Sequence, residues 1–131
     1  MISEAKLRQY GVPMAEVKGI VIHNTNTPRT AENLAEWMEK SNDSRACHFF
    51  VDHKEVIQML PLDWSAFNTG KGLDFGNTSC IAIEICTNPS ETLQELGERK
   101  AIDLIKRLMK RYRLNLTDIY FHRDFDPSVN C

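Results

Sequence analysis

Hydrophobic residues occur along this chain in short runs typical of strands, separated by two longer runs with helical spacing. Runs rich in β-branched and aromatic residues predict five strands, at residues 17–24, 46–52, 55–60, 79–87 and 116–122. Apolar residues spaced three and four apart predict two main helices, which begin at Pro28 or Thr30 and at about Glu91. They end near Lys40 and Tyr112, and a short amphipathic piece over residues 2–10 precedes the first strand.

The predicted order, β-α-β-β-loop-β-α-β, favours one α/β domain with a mixed central sheet flanked by helices. A chain of 131 residues can bury a hydrophobic core without disulfides or structural metals. It contains no internal repeats or low-complexity tracts. Residues 61–79 form one long connection, and loops of this length in a small domain usually have a function.

The most regular strand pattern lies at residues 79–87. Ile81, Ile83 and Ile85 point to one face of the predicted sheet, whereas Glu84 points to the other. A buried carboxylate costs free energy unless it has a partner or a function. In the helix that follows, we expect an apolar stripe to face the core, formed by Leu93, Leu96, Ile102, Ile105, Leu108, Met109 and Tyr112.

Composition and charge exclude several classes of protein. The net charge of −2 gives no reason to expect a nucleic-acid partner, and the basic residues between 100 and 113 follow the pattern of a solvated helix face. No run approaches the roughly 18–20 apolar residues of a membrane span, so membrane insertion is not expected. No apolar segment follows a basic start, so no signal peptide is predicted. Four cysteines without a CxxC pair indicate free thiols.

Three residues of metal-binding type suggest a site for chemistry. His23 and His122 each end a predicted strand, and Cys131 completes a His-His-Cys set that suits zinc and disfavours magnesium or calcium. Catalytic zinc usually has three protein ligands and an open fourth position. Glu84 would supply the base that such a hydrolase needs. The alternatives are two structural histidines and a carboxylate paired with lysine or arginine.

The remaining histidines and cysteines have simpler interpretations. We expect His48 to be packed in an apolar strand or to be a hydrogen-bonding support for the site, and His53 to be exposed in a turn. Cys80 and Cys86 are interpreted as small apolar filler. Cysteine-protease chemistry by Cys47 and its neighbour His48 is not favoured. Adjacent residues of a strand point to opposite faces, so the thiol and the imidazole would not meet.

Five motifs, in this order, resemble one known family. They are residues 19–25 (GIVIHNT), 47–52 (CHFFVD), 64–70 (WSAFNTG), 81–85 (IAIEI), and His122-Arg-Asp followed by Asn130-Cys131. The chain resembles, over nearly its whole length, the zinc-dependent N-acetylmuramoyl-L-alanine amidases of type 2. That superfamily includes amidase-type phage lysozymes, many phage endolysins and the peptidoglycan-recognition proteins.

The resemblance implies zinc at the floor of a groove that binds the glycan-peptide substrate. By position, His23, His122 and Cys131 match the family's metal ligands, and Glu84 matches the catalytic glutamate of one branch. The implied reaction is hydrolysis of the amide bond between N-acetylmuramic acid and L-alanine in peptidoglycan. Residues of the long loop and of the loop after the first strand are candidate substrate contacts, namely Asn68, Thr69, Thr25 and Thr27.

Three residues depart from the family's pattern. Val129 stands where many members have a lysine two residues before the third ligand, and Cys47 stands where some have a tyrosine. Asn68 replaces a histidine found in the groove loop of many relatives. Without the lysine and the tyrosine, we expect Glu84 to carry out the proton transfer.

The expected role is cell-wall lysis by a phage or prophage endolysin, made in the cytoplasm and acting on the wall after release. Residues 1–131 would be the amidase catalytic domain, a monomer by default. Relatives usually continue past the last cysteine, so we expect truncation at the C-terminal end and the loss of any wall-binding domain. The alternative is a catalytically inactive peptidoglycan-binding module of the same fold. A purely structural zinc is disfavoured because no fourth protein ligand is evident.

Overall fold

A five-stranded sheet forms the centre of the computed structural model, which describes residues 1–131. The sheet has the order β3-β2-β4-β1-β5. Strand β1 pairs in parallel with both β4 and β5, β4 pairs in parallel with β2, and β3 runs antiparallel to β2. The strands are β1 Gly19–Asn24, β2 Phe49–Val51, β3 Val56–Gln58, β4 Cys80–Ile85 and β5 Ile119–Phe121. The predicted mixed sheet is confirmed.

Helices cover both faces of this sheet. A 3-10 turn at Glu4–Lys6 leads into α1 (Leu7–Tyr10), and another lies at Leu116–Asp118. The side chains of Thr30 and Ser90 cap the two main helices by accepting hydrogen bonds from backbone N–H groups three residues on. The other helices are α2 Ala31–Lys40, α3 Phe75–Thr78, α4 Glu91–Tyr112 and α5 His122–Phe125. None of them combines the length and apolar composition needed to cross a membrane.

The boundaries differ from the prediction mainly in strands and loops. The strands are shorter, because backbone pairing with a neighbour ends before the apolar pattern does. The connection at residues 61–79 is not wholly irregular, since it contains α3, whose first turn is capped by Asp74. His122 does not end a strand but begins α5, directly after β5.

Two hydrophobic cores lie on opposite faces of the sheet, and β4 contributes to both. Ile81 and Ile83 pack on the α4 side, whereas Ala82 and, one residue past the strand, Cys86 pack on the α2 side. This alternation confirms the predicted faces of β4. It also places Glu84 on the α2 side, in line with Ala82.

The predicted apolar stripe of α4 is confirmed in part: Leu108 lies in the core, and Ile105, Met109 and Tyr112 pack against it. The most buried face is nevertheless rotated from this stripe. Leu96 and Ile102 are 42% and 49% exposed, while the buried residues are Gly97, Ala101, Leu104 and Leu108. These four residues are spaced four, three and four apart, as one helix face requires. Leu96 and Ile102 each lie one position from this row, which is about 100° around the helix.

Candidate metal centre and active site

Parallel pairing brings the predicted site residues to one edge of the sheet. In the register of β1 and β4, His23 lies beside Glu84. Strand β5 runs parallel on the other side of β1 and delivers His122 at its carboxyl end. Ligand sites of α/β proteins commonly lie at the carboxyl ends of strands. Residues distant in sequence therefore meet there because of the strand order.

His23 is held with one ring nitrogen toward the site and one away from it. The side chain is 3% exposed, and its Nε2 lies 2.8 Å from the Asn68 Oδ1. Its Nδ1 lies 3.4 Å from the Cys131 Sγ. Burial lowers the pKa of His23 to about 4, although the hydrogen bond to Asn68 opposes this effect. The ring is therefore neutral at pH 7, as a metal ligand must be.

His122 is also held through its Nε2, but by a backbone group. Its Nε2 lies 2.8 Å from the carbonyl oxygen of Thr69. A carbonyl only accepts hydrogen bonds, so Nε2 carries a proton, and in the neutral ring Nδ1 keeps its lone pair. The His122 ring meets the His23 ring edge-on, with centroids 4.8 Å apart. Both unprotonated nitrogens are thus available on the inner side.

The third donor is the thiol of Cys131. Donor atoms of His23, His122 and Cys131 all lie within 4.8 Å of one another. In tetrahedral zinc coordination the metal–nitrogen and metal–sulfur distances are about 2.05 and 2.3 Å. The nitrogen and the sulfur then lie about 3.5 Å apart. The 3.4 Å separation of the His23 Nδ1 and the Cys131 Sγ agrees with this value. The three side chains can therefore hold a metal ion.

Glu84 borders this cluster without being one of its three members. Its Oε1 lies 3.9 Å from the His23 Nδ1, and the side chain is 22% exposed. Burial raises the pKa of Glu84 to about 7, while the positive charge of Arg45 acts in the opposite direction. No lysine or arginine nitrogen lies within 4 Å of the carboxylate. Glu84 is therefore a candidate proton acceptor rather than half of a structural ion pair.

An open cavity of about 340 Å³ lies directly over these residues. Thr25, Thr27 and Asn68 line it. Thr69 does not: its side chain is fully buried, and its hydroxyl donates to the Asp74 carboxylate. The Thr69 side chain therefore lies behind the site instead of contacting a ligand, and only its carbonyl acts on the site.

The other histidines have structural roles. His48 is fully buried, accepts a hydrogen bond from the Ala82 N–H through Nδ1 and donates from Nε2 to the Trp64 carbonyl. This confirms the packed interpretation. The prediction that His53 is exposed is wrong, since the residue is half-buried and its Nδ1 is buried without a hydrogen-bond partner. Gly97 on α4 lies close to the backbone of Asp52 and His53.

Two features of the site were not anticipated from the sequence. Arg29 and Arg45 line the cavity together with Trp37, and the guanidinium of Arg45 lies 5.8 Å from the Trp37 ring centroid. The sequence signal for them was the position of both arginines in polar segments on either side of α2. The hydrogen bond that orients His122 goes to a backbone carbonyl. Every residue has such a group, so the sequence does not indicate which one is used.

The sheet, the three convergent donors and the adjacent carboxylate together define an α/β protein with a candidate metal-dependent hydrolytic site. The family model for N-acetylmuramoyl-L-alanine amidase matches residues 13–131. The chain therefore belongs to the N-acetylmuramoyl-L-alanine amidase family.

Individual relatives agree with this membership. The amidase XlyB of Bacillus subtilis (strain 168) is 34% identical over 127 residues, and the amidase CwlA of the same strain is 33% identical over 109 residues. The matches cover 95% and 82% of this chain but 40% of each relative, so the chain spans less than half the length of the curated relatives it matches. The solved structure of PlyL superimposes with a TM-score of 0.90 at 28% identity, over 95% of this chain and 79% of that one.

Proposed function

We propose that this chain hydrolyses the amide bond between N-acetylmuramic acid and L-alanine in peptidoglycan. The metal would be zinc, with His23, His122 and Cys131 as its ligands and Glu84 as the catalytic base. The carrying observation is the 3.9 Å separation of the Glu84 Oε1 from the inward nitrogen of His23, at the floor of an open cavity. Family membership supports the substrate class, and the relatives XlyB and CwlA bear the same amidase name.

Zinc is the metal best suited to this donor set. Two neutral imidazoles and one thiolate are soft to intermediate ligands, which disfavour magnesium and calcium. Three protein donors leave a fourth coordination position for water or substrate. Zinc in such a site lowers the pKa of water toward about 7 and polarises a carbonyl.

Glu84 has the properties that a proton acceptor needs here. A general base is most effective when its pKa lies near the working pH, and burial raises the pKa of Glu84 to about 7. Its carboxylate would take the proton of the attacking water and pass it to the leaving amine of L-alanine. Cys47 is fully buried, and Val129 has no titratable group, so neither replaces Glu84 in this role.

The cavity residues would bind the substrate on either side of the scissile bond. Thr27 and Asn68 line this cavity, but the Asn68 amide already contacts His23 and nearby backbone carbonyls, which leaves Thr27 as the freer polar contact. The Thr25 hydroxyl already donates to the Thr27 carbonyl and accepts from the Thr87 N–H. Peptidoglycan carries the lactyl-peptide amide that this reaction requires. The biological setting would be wall lysis by an endolysin-type enzyme that reaches the wall after release.

The proposal is tested on purified cell wall with the wild-type chain and Glu84→Ala. We expect about one zinc per chain in both proteins and release of L-alanine amino groups by the wild type alone. Wild-type protein that binds zinc but releases no amino groups would refute the amidase function. It would leave a peptidoglycan-binding module, which a wall-pelleting assay would detect.

A further inference from the structure

One buried side chain organises the segment that supports both histidines. Asn77 is 1% exposed and lies in the short helix α3. Its Oδ1 accepts hydrogen bonds from the Asn68 N–H at 2.6 Å and the Thr69 N–H at 2.9 Å. Its Nδ2 donates to the Gly72 carbonyl at 2.6 Å. The carboxamide of Asn77 therefore cross-links the loop at three points.

The two residues that Asn77 holds by their backbones are those that touch the outer nitrogens of the histidines. Asn68 meets the Nε2 of His23 through its side chain, and Thr69 meets the Nε2 of His122 through its carbonyl. His23 and His122 come from opposite ends of the chain and share no other support of this kind. A shift of this one loop would move both supports together.

The orientation of the Asn68 amide is the critical point. Its Nδ2 is engaged by the carbonyls of Ala66 and Gly76 at 2.7 and 3.1 Å and by the Asn77 Oδ1 at 3.1 Å. All three partners accept, so Nδ2 faces them and Oδ1 faces His23. With the amide reversed, Nδ2 would face the Nε2 of His23 and favour a proton on Nδ1. The inward nitrogen would then no longer be able to bind a metal.

We propose that Asn77 is a positioning residue: it holds in place the Asn68 amide and the Thr69 carbonyl, the two groups that set the metal-binding tautomers of His23 and His122. This inference rests on the proposed metal site and extends it to a residue that touches neither the metal ligands nor the substrate. Asn77 acts through Asn68 on one ring and through the Thr69 carbonyl on the other. Outer-shell partners of this kind typically change metal affinity by about 10–100-fold.

Two substitutions separate positioning from simple loop stability. Asn77→Ala removes all of the side-chain hydrogen bonds. Asn77→Asp keeps an oxygen that accepts from Asn68 and Thr69 but loses the donor to Gly72, so it also lowers stability. We expect a zinc Kd about 10-fold weaker for Asn77→Ala and close to wild type for Asn77→Asp. Ser90→Ala is the matched control, because it removes a capping hydrogen bond from α4, away from the site.

Zinc affinity is measured by competition with a chromophoric chelator, and folding is checked by circular dichroism and thermal unfolding. In metal-free protein, long-range ¹H–¹⁵N spectra report the imidazole tautomers. We expect both rings to carry the proton on Nε2 in the wild type and both to lose part of this preference in Asn77→Ala. An unchanged Kd and unchanged tautomers in Asn77→Ala would overturn the positioning role alone. Equal weakening by Ser90→Ala would do the same, whereas a wild type that binds no zinc would overturn the proposed function as well.

Discussion

His23 and Glu84 occupy the same register position on the adjacent parallel strands β1 and β4. Their side chains point to the same face, and the Glu84 Oε1 lies 3.9 Å from the His23 Nδ1. Neighbouring parallel strands pair residue by residue, so backbone hydrogen bonds fix the relative positions of the two α-carbons. The candidate base is therefore anchored on a strand beside the candidate ligand, not on a loop.

Substitution of Glu84 tests its role as the base. Glu84→Gln preserves shape but removes the proton acceptor, so we expect kcat to fall by about 10²–10⁴-fold with little change in KM. Glu84→Asp draws the carboxylate back by one methylene, so its kcat should lie between those of the wild type and Glu84→Gln. Glu98→Gln, on the exposed face of α4, is the control and should retain full activity. A Glu84→Gln enzyme within threefold of wild type would exclude Glu84 as the base.

Cys131 offers the softest donor of the three proposed metal ligands. Cys131→Ser should weaken zinc binding by more than the roughly 10–100-fold that follows loss of an outer-shell hydrogen bond, because a neutral hydroxyl replaces a thiolate. Competition titration of zinc measures this loss. Cys86→Ala removes a buried thiol that lies outside the donor cluster, so this variant should bind zinc with unchanged affinity. Equal affinities for Cys131→Ser and wild type would remove Cys131 from the ligand set.

Metal removal should lower thermal stability. A ligand at 100 times its Kd stabilises the folded state by about 2.7 kcal/mol, which corresponds to a Tm difference of roughly 10 °C for a domain of this size. We expect a chelator to lower the Tm of the zinc-loaded wild type and to leave His122→Ala unaffected. Differential scanning calorimetry provides the measurement. A Tm of the wild type that is indifferent to chelator would contradict a zinc site at these residues.

His48 should make stability depend on pH. Burial lowers the pKa of His48 to about 4, and protonation would break its hydrogen bond from the Ala82 N–H. The unfolded chain takes up this proton near pH 6.5 and the folded chain does not, so the stabilisation is complete above pH 6.5 and is lost as the pH falls toward 4. The loss is at most about 3 kcal/mol.

The contribution of His48 is isolated by comparison with His48→Gln, which keeps a donor for the Trp64 carbonyl but does not titrate. Urea unfolding at several pH values gives the free energy of unfolding of each protein. The difference between them should shrink as the pH falls from 6.5 to 4, because only the wild type is penalised. A difference independent of pH would show that His48 has a normal pKa in the folded state.

Two glycines should respond to alanine in opposite directions. A Cβ at Gly76 would lie 2.5 Å from the Thr69 Cγ2 and 3.0 Å from the Phe125 ring, so Gly76→Ala should destabilise the fold by about 1–3 kcal/mol. A Cβ at Gly97 would meet its nearest neighbour at 3.4 Å. Since alanine favours helix, Gly97→Ala should be neutral or stabilise by up to about 1 kcal/mol. Chemical denaturation gives the free energy of unfolding of each variant. A Gly76→Ala protein as stable as the wild type would mean that the α3 loop accommodates the methyl group.

Local patterns along the chain were sufficient to predict much of the fold. The alternation of residues 80–86, the helix of residues 91–112 with its Ser90 cap, and the mixed sheet all follow from side-chain periodicity and capping chemistry. Strand ends and short helices such as α3 and α5 were less accessible. Their limits depend on which neighbours supply hydrogen bonds, and a single sequence does not contain that information.

Residue types and motif order determined, from sequence alone, the candidate set His23, His122, Cys131 and Glu84. Only the tertiary structure decided how these residues are arranged. The parallel register of β1 and β4 sets His23 beside Glu84, and the loop ending in α3 turns both imidazoles inward through the Asn68 amide and the Thr69 carbonyl. The reason is physical: chemical identity is a local property of each side chain, whereas tautomer, burial and separation depend on backbone groups far away in sequence.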